Sequence, residues 1–407
     1  MPGYEETAYL RKLHLKNIRL FKDLQLDFVH EGAPRMRTLI IGQNGTGKTT
    51  LLRTIALAYA DVREARLLVD LHNGHFTGSG GLGQITAETF RGTSITFNLE
   101  REKNHDLIRA GYGMSFDRER PGEFVVGYGV SRSSSEKSSR TSSQYEVSGA
   151  TRTLFEAGSG LADPELTLRR IQDFYGKQKY TSFMTGIQKA LGLPRGAKLV
   201  INKGGGVFIE QPRGEKIPLE GWADGYRLTF QWVIDVYAWA LNHEKFDHSQ
   251  EISGLLLIDE IEQHLHPRLQ YSLMQNLSVL FPKMQIIATT HSPIVTLGVD
   301  PSEVVVLKHI SPSEVTVAEA PDYRLSTLED LVESEQMFDT EIYSSHLKAI
   351  SDEYDDLVSK SEKQRTPQDL HRMNLLATQM QSEDPDDLIL KELRKLEQTL
   401  RQERKND

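Results

Sequence analysis

Eight consecutive residues constrain this chain more than anything else in it. Gly42-Gln43-Asn44-Gly45-Thr46-Gly47-Lys48-Thr49 fits the pattern G-x-x-x-x-G-K-[ST] at every fixed position. The flanks supply the context that the pattern needs. Before it, Thr38-Leu39-Ile40-Ile41 is a short, continuous apolar run, as a parallel strand buried on both faces should be. After it, Leu51, Leu52, Ile55, Ala56 and Tyr59 recur at helical spacing. In such a strand–loop–helix unit the glycines let successive N–H groups turn onto phosphate oxygens, and the helix N-terminus adds its positive dipole end. Gly42, Asn44, Gly45, Thr46, Gly47, Lys48, Thr49 and Thr50 are therefore the candidate residues for binding ATP. Lys48 is expected to reach the β- and γ-phosphates, and Thr49 to hold Mg²⁺ through its hydroxyl.

Two later apolar runs end in groups that would complete such a site. Leu255-Leu256-Leu257-Ile258 ends in Asp259-Glu260, two carboxylates at a strand tip. Asp259 suits the metal and Glu260 suits orienting or deprotonating an attacking water. Gln285-Ile286-Ile287-Ala288-Thr289-Thr290 ends in His291, a candidate γ-phosphate sensor. Glu262, His264 and His266 could suggest a separate metal site, but they read better as a turn into the next helix.

Composition narrows the class. The chain has 407 residues, 38% hydrophobic and 26% charged, which fits a globular protein with ample core. There is no cysteine, which excludes disulfides and thiolate chemistry. No apolar run reaches the length of a membrane span, and the first residues lack a secretion-signal pattern, so a cytoplasmic location without membrane association is expected. A net charge of −9 argues against a globally basic DNA-binding surface and leaves a local patch open.

Alternating strand and helix patterns predict an α/β core with a parallel sheet. Strands are expected around Leu13 to Phe28, at 94–99, 124–130, 254–258, 285–290 and 304–307. Helices are expected at 161–175, 181–191, 224–241 and 268–281, and a hairpin at 199–209 around Gly204-Gly205-Gly206. Residues 131–143 are serine-dense and read as a surface loop. Beyond about residue 336 the chain is polar and helical. In its last segment Ile389, Leu393, Leu396 and Leu400 form a narrow apolar stripe, suited to packing on the head or to self-association. Asp384-Pro385-Asp386-Asp387 reads as a helix cap. The expected divisions are 1–150 and 221–335 as two parts of one ATPase head, 151–220 as an inserted lobe, and 336–407 as a helical extension.

These blocks, in this order, resemble the ATPase heads of the ABC superfamily's RecF, SMC and OLD-like branch. The stretch Leu13-His14-Leu15-Lys16-Asn17-Ile18-Arg19-Leu20-Phe21 is similar to that branch's opening strand and turn. Asp259-Glu260-Ile261-Glu262-Gln263-His264-Leu265-His266-Pro267 matches the OLD-like subgroup, and Thr290-His291-Ser292 matches its switch-histidine loop. The resemblance implies a P-loop NTPase fold in which two heads close around two ATP molecules. It also implies a signature loop before a long helix, where Trp222-Ala223-Asp224-Gly225-Tyr226-Arg227 stands. Asp224 and Gly225 would then cap a γ-phosphate held by a second copy. Family members usually carry serine where Ala223 stands; losing one charge-assisted hydrogen bond costs about 1.5–3 kcal/mol, so slow hydrolysis is expected. Gln84 is the candidate for the family's metal-binding glutamine. No long heptad arms separate Lys48 from Gly225, and no strand ending in Asp-x-Asp follows the head, so neither SMC-type arms nor a Toprim nuclease is expected. The resemblance implies a homodimeric ATPase controlling a separate effector, such as an HNH-type nuclease, in prokaryotic antiphage defence. A RecF-like DNA-binding repair ATPase and a non-hydrolysing, nucleotide-dependent scaffold are the alternatives.

Overall fold

The computed structural model describes residues 8–72, 76–78, 81–102, 105–109, 124–132, 147–157, 160–202, 206–338, 350, 353–354, 356–359 and 365–380. Most of the serine-dense tract, the tip of the glycine hairpin, the Asp384–Asp387 cap and the last apolar stripe lie outside these residues. The chain divides into a unit of residues 1–339 and a unit of residues 340–407.

The first unit opens with an antiparallel hairpin of β1 (Leu10–Ile18) and β2 (Phe21–Asp27), whose alternating Leu13, Leu15, Leu24 and Leu26 are all buried. Two short strands, β3 (Val29–His30) and β4 (Ala33–Pro34), lead to β5 (Arg37–Gly42). The phosphate-loop motif follows, then α1 (Lys48–Tyr59) and α2 (Val62–Leu71). The strands β6 (Leu82–Thr89), β7 (Ser94–Glu102) and β8 (His105–Arg109) extend the first hairpin into a five-stranded antiparallel sheet in the order β2-β1-β6-β7-β8.

After β9 (Phe124–Tyr128) comes α3 (Pro164–Ala190), capped by the Asp163 carboxylate. The two helices expected at 161–175 and 181–191 are one element bent at Gly176, which sits at φ 69°. The hairpin expected at 199–209 is the pair β10 (Lys198–Ile201) and β11 (Val207–Glu210), extended by β12 (Lys216–Pro218). Next are α4 (Asp224–Asn242) and β13 (Ser253–Ile258). The helix expected at 268–281 is two pieces, α5 (Pro267–Gln270) and α6 (Leu273–Leu280). Ser272 leaves the helical region at φ −98°, ψ 3°, and its backbone carbonyl and hydroxyl oxygens accept from the Asn276 amide groups. Then come β14 (Lys283–Thr289), α7 (Pro293–Leu297), β15 (Val304–Ser311), β16 (Glu314–Glu319) and α8 (Leu328–Glu333).

The central sheet has the order β16-β15-β5-β14-β13-β9; β16 is its one antiparallel edge strand. Its strands read as continuous apolar runs because both faces are covered. Leu39, Ile41, Leu256, Ile258, Ile286 and Val306 face a core shared with α3, α4 and α6. Ile40, Leu255, Leu257, Ile287, Val305 and Leu307 face a second core shared with α1 and the antiparallel sheet. This is an α/β fold with the phosphate-loop motif between a central, mostly parallel strand and the helix that follows it. The parallel strands β5, β13, β14 and β9 all end on one edge, and that edge carries the site. No helix among the described residues is long and apolar enough to cross a membrane.

In the second unit, Ile350, Leu357 and Leu376 form a small apolar cluster. The helix Pro367–Met380 starts on a reciprocal cap between Thr366 and Asp369, and Arg372 makes a bidentate pair with Glu353 at 2.6 and 2.7 Å.

Candidate nucleotide site

The loop after β5 turns because its glycines occupy backbone regions closed to other residues. Gly47, at φ 90°, immediately precedes α1, and a Cβ there would lie 2.7 Å from the Phe21 ring. The β1–β2 turn thus packs directly under the loop. Lys48 is nearly buried, and its Nζ donates to the carbonyls of Gly42 at 2.6 Å and Gln43 at 3.1 Å. Burial lowers its pKa to about 8, against the pull of Asp259, Glu260 and Glu262.

A hydroxyl–carboxylate hydrogen bond joins the loop to the carboxylate strand. Thr49 Oγ1 donates to Asp259 Oδ2 at 2.6 Å, joining residues 210 positions apart. The other carboxylate oxygen of Asp259 accepts from Thr289 Oγ1 at 2.6 Å, while its amide donates to the Tyr128 carbonyl at 2.8 Å. Asp259 is thereby held from β9, β14 and α1 at once. A hydroxyl and a carboxylate oxygen side by side are hard ligands of the kind Mg²⁺ takes, with water and phosphate oxygens completing an octahedron. The residues present fit that ion.

Glu260 stands in the left-handed region at φ 47°. Its amide donates to Thr289 Oγ1 at 2.8 Å, and its carbonyl accepts from Arg132 Nη2 at 2.6 Å. Its carboxyl pKa is raised, first by partial burial and then by Asp259 and Glu262. Glu262 is an anchor for the neighbouring loop: it accepts from Thr290 Oγ1 and from the His291 amide, each at 2.7 Å. That fixes the backbone at His291, whose pKa is lowered by burial and then by Lys48. His266 accepts from the Arg268 amide at the start of α5, and no cluster of three or more metal-ligating side chains occurs among the described residues. Residues 261–264 form a turn, and the chain enters α5 at Pro267.

A cleft of about 460 Å³ gathers Asn44, Gly45, Gly47, Lys48, Thr49, Thr50, Asp259, Glu260 and His291. Gly42 and Thr46 support it from beneath: Gly42 through its bond to Lys48, and buried Thr46 through its hydroxyl bond to the Gln43 carbonyl at 2.9 Å. Two groups of candidates stand apart. Gln84 does not line the cleft; it lies on β6, in the antiparallel sheet, with its amide donating to Asn98 Oδ1 at 3.0 Å. Asp224 and Gly225 open α4 but do not line this cleft either. Asp224 pairs with Arg227 at 2.7 Å, and a Cβ on Gly225 would lie 2.3 Å from the His264 carbonyl oxygen.

The remaining walls were not singled out from sequence. Arg19, Arg53, the turn Gly129-Val130-Ser131 and residues 153–157 all face the cleft. Arg53 Nε donates to the Leu154 carbonyl at 2.5 Å, and burial lowers its pKa to about 10. The helical spacing of Arg53 behind Thr49 was a usable signal; residues 129–131 and 153–157 carried none.

A family model described as an AAA domain matches residues 12–175, and one described as an AAA ATPase domain matches residues 163–296. The Septu protein PtuA of Bacillus mycoides (strain KBAB4) is 24% identical over 322 residues, covering 75% of this chain and 41% of that protein. The retron Ec83 probable ATPase of Escherichia coli is 34% identical over 142 residues, covering 35% of this chain and 25% of that protein. The chain therefore spans less than half the length of these relatives. Among solved structures, the SMC head domain from Thermotoga maritima aligns over 77% of this chain and 99% of that one, at 15% identity and a TM-score of 0.43.

Proposed function

We propose that this chain, an ABC/SMC-like P-loop ATPase head, hydrolyses ATP slowly and uses an ATP-closed pair of heads to regulate a separate effector, a nuclease of HNH type, in antiphage defence. The observation that carries the reading is the 2.6 Å bond between Thr49 and Asp259, in the cleft that Lys48 and Glu260 also line, an arrangement that suits phosphoryl transfer.

On this reading the N–H groups of the loop and the α1 N-terminus bind the phosphates. Lys48 exchanges the Gly42 and Gln43 carbonyls for β- and γ-phosphate oxygens. Thr49 and Asp259 hold Mg²⁺, which supplies charge neutralisation at the phosphates. Glu260 orients the attacking water and takes its proton, and His291 contacts the γ-phosphate. Asp224 and Gly225 stand outside the chain's own cleft, which supports their delivery to a second copy's nucleotide. Ala223 brings no hydroxyl to that contact, which accounts for slow turnover. The Septu and retron relatives supply the support for an effector and a defence role.

Light scattering of Glu260→Gln with saturating ATP tests the closed pair: a dimer is expected, with monomers in ADP. A variant that binds ATP yet stays monomeric sinks that part. Phosphate release from the wild type no faster than from Glu260→Gln sinks hydrolysis. Co-purification with the products of neighbouring genes, with and without ATP, tests the effector, and recovery of no nuclease in either state removes it.

A further inference from the structure

Arg132 follows the cleft-lining turn Gly129-Val130-Ser131, and only 5% of its surface is exposed. A guanidinium is rarely buried unless paired. Here it sits 6.0 Å from the centroid of the Trp232 ring on α4, and Nη2 donates to the Glu260 carbonyl at 2.6 Å. Nη1 is equally buried and has no hydrogen-bond partner among the described residues. Arg132 forms no ion pair there, and burial lowers its pKa to about 10, against the opposing pull of Asp259, Glu262 and Glu260.

The bond it does make falls on a strained peptide. Glu260 is a non-glycine residue at φ 47°, a conformation that persists only where its surroundings over-determine it. Three groups do so: Thr289 Oγ1 accepts from the Glu260 amide, and Arg132 Nη2 and the Gln263 amide, at 2.6 and 3.1 Å, both donate to its carbonyl. The Glu260 carboxylate has no hydrogen bond or ion pair among the described residues. One residue therefore presents a pinned backbone and a free carboxylate, beside a guanidinium whose Nη2 is engaged and whose Nη1 has no partner among the described residues.

Resting on the ATPase reading above, we propose that Arg132 is the positioning residue of hydrolysis: Nη2 fixes the Glu260 backbone, and Nη1 donates to the Glu260 carboxylate when nucleotide is bound, aiming it at the attacking water. Thr49 and Asp259 keep the metal without its help, so binding and turnover separate. The Trp232 face holds the guanidinium in place on the side of α4.

The test uses the full chain and three readouts: kcat, the affinity for a fluorescent ATP analogue, and a double variant with Glu260→Gln. Arg132→Gln is expected to lower kcat on the order of 10- to 100-fold, with analogue affinity within about threefold of wild type. In the Glu260→Gln background it should lower the residual rate no further, because both changes remove the same step. Added guanidinium ion should restore part of the rate to Arg132→Ala and none to Arg132→Ala combined with Glu260→Gln. Additive losses, parallel loss of binding and turnover, or an unchanged kcat each overturn the proposal. Arg132→Lys, which keeps the charge but not the fork, serves under the same criteria where Arg132→Gln does not fold. A wild type that releases no phosphate overturns the ATPase reading itself, a different outcome from wild-type turnover that is indifferent to Arg132.

Discussion

Replacing Thr289 by valine removes one hydroxyl from the point where the metal carboxylate and the water-orienting glutamate meet. Thr289 is fully buried at the end of β14, donates to Asp259 Oδ1 at 2.6 Å and accepts from the Glu260 amide at 2.8 Å. Valine has nearly the same shape, so no cavity term enters, but both bonds vanish. Losing a bond to a charged group costs about 1.5–3 kcal/mol, and a buried amide left unpaired about 1–3 kcal/mol. Glu260 is only half-buried, so water meets part of the second cost, and the added methyl returns about 0.8 kcal/mol. The net expectation is a loss of about 2–4 kcal/mol. Urea unfolding should show a lower midpoint with an unchanged slope. The same variant should raise the Mg²⁺ concentration needed for half-maximal hydrolysis, because Asp259 loses the donor that fixes its orientation. Thr289→Ser should restore both properties. Stability within about 0.5 kcal/mol of wild type, the ordinary scatter of surface changes, would refute the structural reasoning. A destabilised variant with wild-type Mg²⁺ dependence would refute the role assigned to the bond.

Lys48→Ala should abolish binding of a fluorescent ATP analogue while leaving the urea midpoint at or above the wild-type value, since a buried cation is removed. The lowered Lys48 pKa makes a signed prediction: between about 8 and 10.5 the folded protein holds less of this proton than the unfolded chain, so the group's cost to stability is relieved as pH rises through that window. ATP restores a counter-charge, so calorimetry at pH 8.5 in buffers of different ionisation enthalpy should show proton uptake on binding, and none would refute it. Gly225→Ala, whose Cβ would stand 2.3 Å from a backbone oxygen, should displace the start of α4 and abolish ATP-dependent dimerisation in light scattering, with analogue binding by the monomer retained.

The phosphate loop, the Asp259-Glu260 tip and His291 were legible because each is a local pattern: an apolar strand ending in the group it delivers. Even Glu262 was visible as part of a turn, though not as the acceptor that holds residues 290 and 291. The setting of Gln84 was not legible, because a glutamine in a weakly patterned region carries no local sign of its strand partner, Asn98, 14 residues away. Arg132 was hidden for the opposite reason. It heads a serine-rich tract whose composition reads as surface, while its burial comes from Trp232, 100 residues later, and from Glu260, 128 residues later. The α2 helix and β6 were also missed, although α2 buries Ala65, Leu68 and Val69 at helical spacing and the buried positions of β6 alternate along the strand.

The same long-range logic joins the helix that begins at Asp224 to the Asp259 carboxylate. Asp235, in the middle of α4, is buried and accepts from Tyr128 Oη at 2.9 Å, Trp239 Nε1 at 3.0 Å and the Ala162 amide at 2.6 Å. Tyr128 ends β9, and its carbonyl takes the Asp259 amide. One tyrosine thus holds α4 by its hydroxyl and β13 by its backbone. Such a buried, fully satisfied network is costly to break in part, because each freed group loses its partner in a low-dielectric interior. Tyr128→Phe would leave Asp259's amide bond intact and strip one donor from Asp235, which retains Trp239 and Ala162. If α4 and the carboxylate strand act as one body when two heads close, that variant should weaken ATP-dependent dimerisation while leaving nucleotide affinity of the single head unchanged. If instead analogue affinity falls and dimerisation at saturating ATP stays at the wild-type level, the tyrosine serves the nucleotide cleft and not the link between the helix and the sheet.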